Sequence, residues 1–374
     1  MTKVTESYFA LLRAALWGGD GLAAGGERLG LSGEEIRELI DLAGRQGTGS
    51  IVYPILLLNE AIPSEERMKM KAICAQTMQE HVRLKHILGI AWQALTDAGI
   101  EPVLLKGAGL AALYPGEEMR QWGDIDLFVG KKQYHPACAA MRKVFPNALK
   151  FDEELDHYKH YNLIADGISI EIHRVSVAMQ HPVDEIRYAQ MEERGMNHPI
   201  REAGVRVPEP TFNALFVFLH AWEHMMTKGA NIRQLCDLAL VLDRYQALID
   251  ARQLARDLRA LKLMDVWRLY VYIMVHYLGL NRDRALTYSE DVHDRAERFV
   301  EDLLDVNGVR PAERSEEEPK EQTNRWMRKI HTMRERLAES KRIERYSPEY
   351  ARHMRWTTLL HGAGRLFAKD RRWE

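Results

Sequence analysis

The apolar positions of this chain change their period twice. Up to about residue 100 they recur every three to four residues, which predicts helices. Ser32-Gly33-Glu34-Glu35 reads as a helix start, followed by Ile36, Leu39, Ile40 and Ala43 at helical spacing. Pro63-Ser64-Glu65-Glu66 opens a longer helix over residues 67–98, along which Met70, Ile73, Met78, Val82, Leu84, Ile87 and Trp92 are spread, and Ala98-Gly99 ends it. Over residues 101–208 a period of two appears. Val103 to Leu105 is an apolar strand, Ile125, Leu127 and Val129 alternate with Asp124 and Asp126, and Ile168, Ile170 and Ile172 alternate with Ser169, Glu171 and His173. The same stretch predicts a helix over 133–144, a polar strand over 157–164 and a strand over 205–207. After Pro208-Glu209-Pro210 the helical period returns, with segments at 211–227, 232–245, 251–260, 264–278 and 289–304. The expected architecture is α+β: a small mixed β-sheet core over 101–208, an N-terminal helical segment over 1–100, a helical domain over 209–310 packed on the core, and a linker with helices over 311–374.

Composition narrows this picture only a little. With 374 residues, 46% of them hydrophobic, the chain has enough apolar material for one large or two medium domains. A formal net charge of -2 argues against a surface that coats nucleic acid. Cys74, Cys138 and Cys236 follow no metal-binding spacing, no secretory signal is evident after Met1, and no stretch approaches the roughly 20 apolar residues of a membrane span. A cytoplasmic setting is therefore expected. Charge is segregated at the C-terminal end. Residues 312–321 are strongly acidic, whereas 323–374 hold 14 Lys or Arg against 6 Asp or Glu. That tail is expected to pack as amphipathic helices on an acidic body; the alternative is a site for an anionic acceptor or a membrane surface, given Trp356, Leu359, Leu360, Leu366 and Phe367 among its cations.

The chemistry concentrates between Val103 and Val129. In an extended strand Asp124 and Asp126 point to the same face, and two carboxylates side by side call for a cation, for which a hard divalent metal such as Mg²⁺ (or Mn²⁺) is suited. Upstream, Lys106 adds a positive charge where the strand ends, and Gly107 and Gly109 let backbone N–H groups approach an anion. Glu171, with Ser169 and His173 on its face, is the candidate third acid for two-metal phosphoryl chemistry.

In order, Leu105-Lys106-Gly107, Tyr114-Pro115, Arg120 and Asp124-Ile125-Asp126-Leu127 resemble the signature of the polymerase β-type nucleotidyltransferase superfamily. More closely, they resemble its family of uncharacterised nucleotidyltransferases, loosely over residues 80–245, in which the short acidic strand also ends in His. The resemblance implies metal-dependent transfer of a nucleoside monophosphate from an NTP to an acceptor, with release of pyrophosphate. Asp124, Asp126 and Glu171 would hold Mg²⁺ or Mn²⁺, and Lys106, the backbone of Gly107, Ala108 and Gly109, and Arg120 would bind the triphosphate. The acceptor is open: a small molecule, a peptide, a protein or an RNA end. Many superfamily members carry Gly-Ser at the turn, where the hydroxyl helps hold phosphate, whereas this chain has Gly107-Ala108. That departure leaves room for a non-catalytic nucleotide- or partner-binding member.

A competing motif is His220-Ala221-Trp222-Glu223-His224, which fits the H-x-x-E-H of an inverted zinc peptidase but comes without an identifiable third ligand. On the nucleotidyltransferase reading, this apolar helix packs behind the site with Asp237 on the next one. His157, Lys159 or Tyr161, on one face of the polar strand, are candidates for contact with nucleotide or acceptor, against the commoner explanation of an edge strand dressed with polar groups. Trp122 in the motif loop is expected to be a packing residue, with stacking on a base as the alternative.

Overall fold

The computed structural model describes residues 1–18, 30–60, 62–150, 155, 157–179, 182–227, 231–305 and 325–367, with backbone only for 227, 325–332 and 360–367. The acidic run at 312–321, Asp156, and the side chains of Leu360, Leu366 and Phe367 lie outside that description.

Helices α1 (Lys3–Trp17), α2 (Gly33–Arg45), α3 (Gly49–Leu56) and α4 (Ser64–Asp97) open the chain. The predicted start of α2 is a capping box: Ser32 accepts from the Glu35 amide while the Glu35 side chain accepts from the Ser32 amide. After α4, Gly99 turns the chain at φ +73°, a left-handed conformation that suits glycine.

Five strands follow: β1 (Val103–Leu104), β2 (Asp124–Phe128), β3 (Leu149–Lys150), β4 (His160–Ala165) and β5 (Ile168–His173). Short α5 (Gly107–Ala111) lies between β1 and β2, and α6 (Gly130–Val144) lies between β2 and β3. The sheet order is β1-β2-β5-β4-β3, mixed because β2 and β5 run parallel while the other neighbours are antiparallel. One face is apolar: Ile125, Leu127, Tyr161, Leu163, Ile168, Ile170 and Ile172 pack under Leu84, Leu88 and Ala91 of α4 and under Tyr134, Ala137 and Met141 of α6. The other face carries the polar positions of β2, β5 and β4.

Beyond the sheet come α7 (Pro182–Met196), the hairpin β6 (Ile200–Glu202) and β7 (Val205–Val207), then α8 (Pro210–Thr227), α9 (Ile232–Arg244), α10 (Ala251–Ala260), α11 (Met264–His276) and α12 (His293–Leu304). The α+β architecture is thus the expected one, a small mixed sheet flanked by helices. Phe212 and the run from Ala214 to Leu219 are all buried, so α8 is a central helix packed against α7, α9 and α10, with Trp267 and Tyr270 of α11 against Phe218. Glu209 caps α8 by accepting the amides of Thr211 and Phe212, both at 3.0 Å.

Two local expectations need revision. The polar strand begins at His160, not at residue 157, and it places Tyr161, 0% exposed, on the apolar face. Helix α7 and strand β6 had no clear signal; β6 is three residues long with two of them charged, too short for a period to declare itself.

Of the basic tail, α13 (Arg325–Glu344) and α14 (Pro348–Phe367) form a hairpin. Ile343, Tyr346, Ala351 and Met354 are buried, Ser347 donates to Asp265 of α11, and Arg342 donates to the carbonyls of Met225 and Met226 at the end of α8. The described part of the tail therefore packs on the body, although Trp356 and Leu359 stay mostly exposed.

Candidate active site

Register decides the site. Because β2 and β5 are parallel, with Asp126 opposite Glu171 and Asp124 opposite Ser169, residues 45 apart in sequence stand side by side. Ligating oxygens of Asp124, Asp126 and Glu171 all lie within 4.8 Å of one another, a spacing that one cation can bridge. Asp126 is fully enclosed, Glu171 is 23% exposed and Asp124 46%, so the group grades from interior to surface. Antiparallel β4 adds Asn162 opposite Glu171 and His160 opposite His173, and Ser169 donates to Asn162 at 2.9 Å.

Two cations hold the carboxylates. Lys106 leaves β1 so that its Nζ lies 3.2 Å from Asp126 Oδ1 and 3.9 Å from Asp124 Oδ2. His173 Nε2 lies 3.0 Å from Asp126 Oδ1 and 3.1 Å from Glu171 Oε2. Burial opposes ionisation of Asp126 most strongly, yet Lys106 and His173 outweigh it and hold its carboxyl well below the usual range. The Asp124 carboxyl is pushed the other way, first by the Asp126 charge and then by burial. Burial works against the charge on Lys106 and on His173, but the facing carboxylates raise both above their ordinary values. Even so, Asp126 Oδ2 is buried without a hydrogen-bond partner. A buried carboxylate oxygen left unpaired costs about 1–3 kcal/mol or more. This orphaned oxygen and the all-oxygen donor set fit a hard divalent ion.

The motif loop is fastened from behind. Arg120 donates from Nε to Asp237 Oδ1 at 2.7 Å and from Nη2 to Oδ2 at 2.9 Å, and Tyr114 adds its hydroxyl to Oδ1 at 2.8 Å. Arg120 and Asp237 are both nearly inaccessible, so this guanidinium is held in a bidentate pair with α9 while its Nη1 reaches the Gly107 carbonyl at 3.5 Å. The His81 ring meets the Arg120 carbonyl at 2.8 Å and fixes the loop to α4. Beside this clamp, Arg233 donates to the Gln121 carbonyl, its Nε is buried without a hydrogen-bond partner, and it makes no ion pair with a described carboxylate. Sequence reasoning passed over Arg233, because nothing in its local pattern shows that α9 brings it to this loop.

The glycine turn has a packing explanation. Gly107 has φ +51°, and a Cβ there would come within 2.8 Å of Trp122 Cε3; a Cβ on Gly109 would come within 2.8 Å of Val207 Cγ1. Both glycines therefore make room for side chains of the fold. Trp122 is 6% exposed against Gly107 and is a packing residue, not a free stacking platform.

The remaining candidates divide. Tyr161 points away from the carboxylates, His157 Nδ1 accepts the amides of Lys159 and His160 at 3.4 Å each, and Lys159 Nζ reaches Glu223 at 3.4 Å. His160 takes the place expected for its neighbours, since its strand parity is that of Glu171. On α8 the His220 and His224 rings stand 4.4 Å apart. Burial, then the charges of Lys106 and His224, hold His220 well below the ordinary histidine value. Among the described residues, neither joins a group of three ligating atoms, so the H-x-x-E-H reading gains no third zinc ligand.

Comparison with known proteins agrees with this geometry. The family described as "uncharacterised nucleotidyltransferase" matches residues 32–279, a span that holds every strand among the described residues and the whole carboxylate cluster. No curated protein and no solved structure matches the chain, and no described helix is long and apolar enough to cross a membrane. With about two thirds of its length matched and the acidic cluster in place, the chain belongs to the uncharacterised nucleotidyltransferase family.

Proposed function

We propose that this protein moves a nucleoside monophosphate from an NTP to an acceptor nucleophile, with release of pyrophosphate, in a reaction that depends on Mg²⁺ or Mn²⁺. The observation that carries the reading is the convergence of Asp124, Asp126 and Glu171 around a buried, unpartnered oxygen of Asp126. Those three residues would hold the metal, which when bound neutralises charge on the phosphoryl oxygens and makes an acceptor hydroxyl easier to deprotonate.

The chain's own side chains do the rest. Asp126 stays ionised because Lys106 and His173 face it, and Lys106 is at the same time the cation nearest to any phosphate drawn to this cluster. The backbone of Gly107, Ala108 and Gly109 borders the same space. Arg120 acts by position, tying the motif loop to Asp237, and Arg233, which donates to the same loop and has an unpartnered Nε, is a guanidinium that would meet the triphosphate. Glu171, only partly enclosed, is the candidate general base for the acceptor proton. A second reading, a nucleotide- or partner-binding member without catalysis, draws on Ala108 in the place of a hydroxyl and on the engagement of Lys106 with carboxylates.

Incubating the pure protein with labelled NTPs and cell extract identifies the acceptor, whether small molecule, peptide, protein or RNA end. NTP binding by calorimetry should require the divalent ion, and Asp126→Asn should abolish labelling while the circular dichroism spectrum is kept. Equal NTP binding in chelator, or full labelling by the variant, refutes the metal-dependent reading; metal-dependent NTP binding with no labelled product supports the non-catalytic one.

A further inference from the structure

Beside the three carboxylates stand two histidines that the nucleotide reading does not assign to a ligand. His173 ends β5 with 3% of its side chain exposed. Its Nδ1 meets the Val175 carbonyl at 3.3 Å, which fixes the hydrogen on that nitrogen and aims Nε2 at Asp126 and Glu171. A backbone carbonyl holding one imidazole nitrogen while the other faces an ion is the arrangement that orients metal-bound histidines. An imidazole lone pair facing two carboxylate oxygens is tolerated only with a cation between them, a proton or a metal ion. Across the ladder, His160 is paired with His173, their ring centroids 5.1 Å apart. Its Nδ1 lies 3.7 Å from the same Glu171 Oε2, and it is buried with no hydrogen-bond partner.

We propose that His160 Nδ1, His173 Nε2 and the Glu171 carboxylate form a second, nitrogen-rich metal site for a borderline transition ion such as Zn²⁺ or Co²⁺, with Glu171 shared between this site and the all-oxygen set of Asp124, Asp126 and Glu171. The three ligating atoms lie within 4.8 Å of one another. A tetrahedral ion with bonds of about 2.0–2.2 Å sets its ligands roughly 3.3–3.5 Å apart, and the 3.1 and 3.7 Å separations from Glu171 Oε2 bracket that value. Donor chemistry separates the two sites. Imidazole nitrogens favour Zn²⁺ and its neighbours over Mg²⁺, while carboxylates alone suit Mg²⁺ and Mn²⁺. Access comes from the His160 side, which is 23% exposed and has the His157 ring 5.3 Å away. The proposal rests on the nucleotidyltransferase reading only through the shared Glu171; both nitrogen donors are independent of it.

Chelator-treated full-length protein, without Mg²⁺ or nucleotide, is titrated with Co²⁺ by calorimetry and visible absorption, and the Zn²⁺ form is examined by X-ray absorption at the zinc edge. The expected result is one ion per chain with two imidazole nitrogens in its shell. His160→Ala and His160→Gln should each lower Co²⁺ affinity on the order of tenfold or more, since losing even the hydrogen-bond partner of a metal ligand costs about 10–100-fold. Asp124→Asn should leave it within about twofold, the change that leaves every proposed ligand in place. An oxygen-only shell, or unchanged affinity in both His160 variants, overturns the proposal. Measuring Mg²⁺-dependent NTP binding on the same samples separates the two ideas: its loss with the nitrogen-ligated site intact counts against the nucleotide reading alone, and its presence without that site counts against this one alone.

Discussion

Removing the Asp237 carboxylate tests whether Arg120 is a clamp or a phosphate ligand. The pair is bidentate, at 2.7 and 2.9 Å, and both side chains are nearly inaccessible. Asp237→Ala leaves a guanidinium buried without its counter-charge, which costs about 3–5 kcal/mol. It also strands the Tyr114 hydroxyl, which gives 2.8 Å to the same oxygen. Tyr114→Phe removes only one charge-assisted hydrogen bond and should cost about 1.5–3 kcal/mol. A typical domain is stable by about 5–15 kcal/mol, so the first change should move a urea midpoint far more than the second. Replacing both partners by apolar residues, Arg120→Met with Asp237→Leu, should recover much of the loss, because the cost lies in the unpaired charge. For the folded double variant, the clamp reading further expects NTP affinity to fall only as far as the loop is displaced. An Asp237→Ala protein with unchanged urea midpoint, or a stable double variant whose loss of affinity grows stepwise from nucleoside to triphosphate, would refute the reasoning and return Arg120 to the phosphates.

Lys106→Met leaves the carboxylates without one of the two cations that face them and should lower metal-free stability by about 3 kcal/mol, while the thermal shift on adding Mg²⁺ grows above that of the wild type; an equal shift in both proteins argues against Lys106 and metal answering the same charge. Gly107→Ala should cost about 1–3 kcal/mol through its positive φ and the contact with Trp122, whereas Gly123→Ala, with nothing within 4 Å of the new Cβ, should stay near wild type in chemical denaturation. His173 has its folded pKa raised above the ordinary 6.5, despite burial, by Asp126 and Glu171. Its contribution is therefore complete below that ordinary value and lost as pH rises through the folded one, so metal-free protein should lose stability as pH rises above the ordinary histidine value of 6.5, in a way that His173→Asn removes. Identical pH–stability profiles for the two proteins would contradict that assignment.

The sequence by itself determined most of the elements, though not α7 or β6, and the chemical types at the site. Alternation at Asp124-Ile125-Asp126-Leu127 and at Ile168 to His173 fixed which side chains share a face, because parity within a strand is local backbone geometry. Capping residues such as Ser32 and Glu35 likewise announced themselves, since a helix end is satisfied by its own neighbours. Where the parity reference was off by three residues, at the start of β4, Tyr161 was placed on the polar face instead of His160, as a shift by an odd number reverses every side chain. What lay beyond the sequence is everything that depends on which distant segments meet. The parallel pairing of β2 with β5 set Glu171 beside Asp126, α9 delivered Asp237 to Arg120 across 117 residues, and Lys106 turned toward the carboxylates because their combined field outweighs its desolvation. The glycine turn shows the same division. Its need for small residues was written in the chain, but whether they admit a ligand or a neighbour was decided by Trp122 and Val207, which only the packed fold brings within 2.8 Å.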